Sequence, residues 1–165
     1  MCMRHRFLVD GMLGSLTRWL RISGYDAEYR READDDILLE ETSRTGRVLL
    51  TRDRELAHRA NKRGMEAFLV EGEDDVAQLG NLAAALGLEL APSCSRCPKC
   101  NGPLTRVEKD QVQDRVPEAS LEAFDAFWAC GVCGGVFWRG SHWDQIVSTL
   151  EEAERVSGMR DSKRL

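Results

Sequence analysis

Residues 47–56 read RVLLTRDREL. An aliphatic run, Val48 to Leu50, stops abruptly at Thr51, Arg52, Asp53 and Arg54. Three consecutive apolar residues without alternation, ending in a polar cluster, are the pattern of a short strand covered on both faces, as in a parallel sheet. A carboxylate at the end of such a strand is costly to bury without a partner. Asp53 between two arginines therefore asks for an explanation beyond packing.

Outward from this stretch, short apolar runs alternate with amphipathic segments. FLV (7–9) is a strand. GMLGSLTRWLRISG then puts Leu13, Leu16 and Leu20 on one helical face, with Arg18 and Arg21 on the other, and Gly24 supplies a left-handed stop. Residues 27–29 are extended. Asp34, Asp35 and Asp36 open the helix ILLEETSRT, which Gly46 closes. After RVLLT, RELAHRANKRG is a polar helix ended by Gly64, MEAFLV a fourth strand, and DDVAQLGNLAAALG a helix ended by Gly87. The order βαβαβαβα predicts an α/β fold, a parallel sheet with helices on both faces.

In such sheets ligands bind beyond the carboxyl ends of the strands. Acids follow every strand: Asp10 the first, Asp34 to Asp36 the second, Asp53 the third, and Glu71, Asp74 and Asp75 the fourth. Helix starts favour acids for capping and dipole reasons, which accounts for Asp34, Asp35, Asp74 and Asp75. It accounts less well for Asp10 and Asp53, which close strongly apolar strands. Carboxylates converging there would repel and raise one another's pKa, and magnesium or manganese would relieve the repulsion. Hard cations on carboxylates facing an open crevice suit phosphodiester hydrolysis. No Ser, Cys or His is placed as a nucleophile in this half; His5 and His58 read as solvated surface. A phosphate receiver domain would need a lysine after a fifth strand, which LELAPS lacks, and a haloacid-dehalogenase-type phosphatase would need an acid where Met12 stands. No Gly-rich phosphate loop is present.

The 165 residues suffice for one domain, or for a small domain plus a metal-stapled module. No apolar run approaches the ~18 residues of a membrane span, and the N-terminus lacks the ~7-residue apolar core of a secretory signal, so the expected location is the cytoplasm. The net charge of −5 excludes coating of nucleic acid by bulk positive potential, though not local contacts. Of the 23 basic residues most are Arg, which suits bidentate phosphate contact but is equally produced by a GC-rich genome.

Of the six cysteines, Cys2 stands apart, and Cys94, Cys97, Cys100, Cys130 and Cys133 cluster in the second half. Residues 91–96, APSCSR, read as a linker, with a boundary near Ser93. CPKCNG and CGVCGG give two CxxC pairs, each followed by glycine within two residues, and predict a tetrahedral zinc on Cys97, Cys100, Cys130 and Cys133. Four thiolates close the coordination sphere, so this zinc is structural. A redox CxxC role would need one pair, not two, and Cys94 is read as a spare thiol. LTRVEK, FDAFWAC and VFWRG are strands of a zinc ribbon; Trp128, Trp138 and Trp143 are read as its core, with stacking on unpaired bases as the alternative. Ser141 and Asp144 have capping-box spacing before the helix DQIVSTLEEAERV, while Arg139 and His142 are within reach of a phosphate as clamp or proton donor. The expected division is 1–92, a nuclease-type domain; 93–158, a zinc ribbon with a C-terminal helix; and 159–165, a tail.

Taken together, FLVDGMLGSLTRWLR, the acidic run before ILLEETSRTGRVLLTRD, the paired CPKCNG and CGVCGG, and FWRGSHW closely resemble the Mut-seven C-terminal RNase family. That family is a PIN-like nuclease domain fused to a zinc ribbon, and the resemblance covers roughly residues 6–150. It implies a Rossmann-like sheet, RNA as partner and metal-dependent ribonuclease activity. Asp10 in VDGML and Asp53 in LLTRD match the family's strand-end acids; the middle acid falls on Asp35 or Asp36, with Asp36 preferred, and Glu71, Asp74 or Asp75 would supply a fourth. Asp10, Asp36 and Asp53 would hold magnesium or manganese, and Arg18, Arg52 and Arg54 would contact phosphate. Two other functions are weighed: a non-catalytic zinc-ribbon module for RNA or protein, and a small-molecule phosphohydrolase.

Overall fold

The computed structural model describes residues 5–161. Its first part is the alternation β1 (Arg6–Asp10), α1 (Gly14–Ile22), β2 (Asp26–Arg30), α2 (Asp35–Thr45), β3 (Val48–Thr51), α3 (Arg54–Lys62), β4 (Ala67–Leu69) and α4 (Asp75–Leu86). All four strands are parallel, in the order β2-β1-β3-β4. Side chains alternate between the two faces, as strand geometry requires. Phe7, Val9 and Leu50 pack with Leu16 and Leu20 of α1 and Leu79 and Leu82 of α4. Leu8 and Leu49 pack on the other side with Leu38 and Leu39 of α2 and Leu56 and Ala60 of α3. The run Val48-Leu49-Leu50 has no polar face because β3 is an inner strand buried on both sides.

From β1 the chain first steps outward to β2, then returns to place β3 on the other side of β1. The connections thus diverge between β1 and β3, the switch point at which doubly wound sheets open a crevice. Asp10 ends β1, and Asp53 lies two residues beyond the end of β3.

The second part is an antiparallel sheet of β5 (Leu104–Val107), β6 (Phe127–Cys130) and β7 (Val136–Trp138), in the order β5-β6-β7. Between the two stretches read as strands, LTRVEK and FDAFWAC, where the sequence pattern assigns no element, the chain folds into a short 3₁₀ turn at Lys109–Gln111 and α5 (Glu118–Ala123). These enclose a small core of Val112, Val116 and Phe127, with Trp138 against its edge.

The last helix, α6 (Trp143–Asp161), follows the ribbon in sequence but packs on α4, and its Leu150 and Ala153 join the core of the larger sheet. Gly80 permits that approach: a Cβ there would lie 2.7 Å from Val156 Cγ1 and 2.9 Å from the Ala153 carbonyl. The helix runs on through Asp161, where the sequence reading begins a tail at 159; residues 162–165 and Cys2 lie outside the described residues. Its first helical bond joins the Ile146 amide to the His142 carbonyl, which puts His142 rather than Ser141 at the N-cap. Among the described residues no helix is long and apolar enough to cross a membrane. His58 is exposed, as expected, but His5 is not simply solvated. It is half-buried, its Nε2 is 3.2 Å from the Leu86 carbonyl oxygen and its ring stacks on Phe7.

Candidate active site and metal centre

The end of β1 closes tightly on that of β2. A Cβ at Gly11 would collide with the Arg31 carbonyl, which is why glycine follows Asp10. The Gly11 amide donates to Asp10 Oδ1 (2.6 Å), and the buried Thr51 hydroxyl donates to Asp10 Oδ2 (2.8 Å). The same hydroxyl oxygen accepts from the Asp53 amide (3.0 Å). Thr51 therefore ties the two strand-end acids into one unit. Only its place in LLTRD hinted at this role, and the sequence reading passed over it.

Asp53 is the N-cap of α3: its Oδ1 accepts from the amides of Glu55 (2.8 Å) and Leu56 (3.1 Å). Its Oδ2 has no hydrogen bond from the described residues. Across the crevice α2 starts at Asp35. Burial pushes the Asp35 carboxyl above its ordinary pKa, and the negative charges of Asp53, Asp10 and Asp36 add to that, against the pull of Arg59. The neighbouring Asp36 points away, with 86% of its side chain exposed against 45% for Asp35. Successive helical residues are turned by ~100°, so only one of the pair can face the strand ends. The structure turns Asp35 inward, whereas the sequence reading preferred Asp36.

Arg59 of α3, a residue the sequence reading left unassigned, bridges both: Nη1 donates to Asp35 (3.1 Å) and Nη2 to Asp36 (2.6 Å). The acids after β4 do other work. Asp74 caps α4 through the Ala77 amide (2.8 Å), and Asp75 accepts from Ser15 and Trp19 of α1. Glu71 is exposed.

The five proposed RNA contacts divide between two places. Arg52 donates to the Gly72 carbonyl (2.6 Å) and Arg54 is exposed in the first turn of α3, both beside Asp53. Arg18 lies on the outer side of α1, facing the ribbon. Arg139 is stacked between Trp128 (5.4 Å) and Trp143 (4.7 Å), and His142 is exposed at the start of α6.

The four cysteines do converge. Cys97, Cys100, Cys130 and Cys133 place their sulfurs within 4.8 Å of one another, and among the described residues this is the only group of three or more potential ligands so close. Tetrahedral zinc with bonds of ~2.3 Å requires sulfurs about 3.8 Å apart. The Cys97–Cys133 and Cys100–Cys130 separations, 3.7 and 3.4 Å, fit it. Burial pushes the Cys97 thiol up to about 12, whereas the amides of Cys133 and Val132 bring Cys130 down to about 6 despite its burial. Four sulfurs packed this closely form a set that a single cation could take as thiolates. Cys94 is not one of the group; it lies in the linker with a positive φ.

A doubly wound sheet with acids at its switch point and a four-cysteine ribbon beside it define a nuclease-type α/β protein with a module able to hold a metal. A family model described as the Mut7-C RNAse domain matches residues 5–150, and the chain belongs to that family. No curated protein and no solved structure matches it.

Proposed function

We propose that the protein is a PIN-like, metal-dependent ribonuclease whose site is the crevice between β1 and β3. The observation that carries this reading is the grouping of Asp10, Asp53 and Asp35, in which the negative charges of the other two help to hold the Asp35 carboxyl above its ordinary pKa. Asp10, Asp35 and the open Oδ2 of Asp53 would hold magnesium or manganese, hard ions suited to carboxylate oxygens. Such an ion supplies a more acidic attacking water and charge for the leaving oxygen. Thr51 orients Asp10 by donating to its Oδ2, the α3 amides hold Asp53 by its Oδ1, and Arg52 and Arg54 stand beside it to receive a phosphate. RNA is the substrate class that the family supports.

Incubation of the protein with single-stranded RNA and manganese, beside Asp53→Asn, tests this. Asparagine caps helices as well as aspartate does, so the fold survives while a metal-binding charge is lost. Cleavage should fall at least about 100-fold, on the scale of losing several kcal/mol of electrostatic stabilisation; equal cleavage by both proteins overturns the reading. A non-catalytic RNA-binding role is favoured by one observation, the Arg59 bridge, whose single positive charge already offsets part of the charge of Asp35 and Asp36. It would leave RNA binding intact in Asp53→Asn and give no cleavage in either protein.

A further inference from the structure

A cleft of about 390 Å³ opens between the outer side of α1, the CPKC knuckle and the beginning of α6, away from the acidic crevice. Three cations line it, Arg18, Arg96 and Lys99, and so do three aromatic rings, Phe137, Trp138 and Trp143. No aspartate or glutamate lines it, although the chain has 28 of them and a net charge of −5. The rings are half-exposed. Trp143 is backed by Arg139, which stacks on it at 4.7 Å, Lys99 Nζ lies 6.0 Å from the Phe137 ring centre, and Arg96 is held by a 2.8 Å bond to the Asn101 carbonyl.

Flat apolar faces set beside unpaired positive charge suit a ligand that is aromatic at one end and anionic at the other. The volume also limits the occupant. Two turns of a partner helix would need about 850 Å³, whereas the cleft falls at the lower end of the ~300–1,000 Å³ of small-ligand pockets. Only an unpaired nucleotide presents its base for such stacking, because a duplex keeps its bases inside.

We propose that this cleft is a second RNA-binding site, which takes an unpaired nucleotide of a strand: the base on Phe137, Trp138 and Trp143, the phosphate on Arg18, Arg96 and Lys99. The proposal rests on the reading of RNA as the substrate class, though not on catalysis. The nine residues of α1 span about 13 Å. The helix begins just after Asp10, and Arg18 and Ile22, at the middle and end of it, line the cleft. A strand held there reaches the acidic crevice within roughly four nucleotides at ~3.4 Å each.

The test uses Asp53→Asn as background, so that RNA is not consumed, and follows the anisotropy of a labelled, unstructured ten-nucleotide RNA. Arg18→Ala with Lys99→Ala, both exposed side chains whose loss spares the core, should weaken binding about tenfold and reduce the salt slope by about two. The same RNA as a duplex, and adenosine monophosphate alone, should bind at least about tenfold more weakly than the single strand. Unchanged binding by the double variant, equal binding of duplex, equal binding of the mononucleotide, or no RNA binding at all would each overturn the proposal. Wild type that fails to cleave RNA while these binding differences hold would remove the catalytic reading and leave the cleft; cleavage with unaltered binding by the double variant would do the reverse.

Discussion

Asp35 and Asp36 are adjacent in sequence and opposite in consequence. Asp35 faces Asp53 and Asp10 from the first position of α2, while Asp36 is turned toward solvent and meets only Arg59 among the described residues. Asp35→Asn should therefore lower RNA cleavage as far as Asp53→Asn is expected to, at least about 100-fold, whereas Asp36→Asn should keep it within about threefold, as expected of an exposed surface change. Initial rates with manganese decide this, and the opposite ranking would return the middle acid to Asp36. The strand-end acids Asp10 and Asp53 were legible in the sequence because an apolar run marks where its strand ends. The choice between Asp35 and Asp36 was not legible, since it depends on the residue at which the helix begins, and boundaries are the weakest part of a periodicity reading. Thr51 and Arg59 escaped for a related reason: their roles lie in partners brought from β1 and α2 by folding.

At the level of elements, the knuckle and the sheet share an edge. β2 is an outer strand, and outer strands leave backbone groups unpaired. Asn101, held in the left-handed region at φ 70°, covers this one: its Oδ1 accepts from the Ala27 amide (3.0 Å), and its Nδ2 donates to Asp26 (2.8 Å) and Glu28 (3.0 Å). Arg21, only 7% exposed, completes the joint by donating to the carbonyls of Ala27, Pro98 and Lys99. Burial lowers its pKa, opposed by Glu28 and by Cys100 and Cys97. Asp26 is gripped by both Nη atoms of Arg47 (2.8 and 3.0 Å) as well as by Asn101. Burial alone would raise its carboxyl, but these hydrogen bonds win and hold it below the ordinary range. A depressed carboxylate pKa stabilises the fold above the unfolded value of ~3.9, and that contribution is lost as pH falls through the lower folded value. Urea unfolding of Asp26→Asn should accordingly show less stability than wild type at pH 7 and a gap that narrows as pH falls below the unfolded value of ~3.9. A gap of constant size across that window would contradict the assignment.

Across the whole molecule, the ribbon is interposed in sequence between α4 and the helix α6 that packs on it, so the two parts are held by the same tertiary contacts. The ribbon's own core has few buried apolar residues, Val112, Val116 and Phe127, and a zinc on the four cysteines would supply what so small a core lacks. Removal of zinc by a chelator should unfold β5, β6 and β7. It should also speed hydrogen exchange at the Ala27 amide, which the knuckle covers, while Leu49 and Leu50 in the centre of the sheet stay protected. Exchange read by mass spectrometry would refute this coupling if zinc left and Ala27 kept its protection. By itself the sequence determined the βαβαβαβα order, the parallel sheet, the acids at its strand ends and the four-cysteine cluster. Each of these is written locally, as apolar period, helix stop or ligand spacing. The tertiary structure alone decided that Asp35 faces the crevice, that Asn101 closes the edge of β2, that α6 belongs to the larger core and that cations and aromatic rings from distant segments line one cleft. Those relations join residues tens of positions apart, and no local pattern encodes which surfaces meet when burial of apolar area brings the segments together.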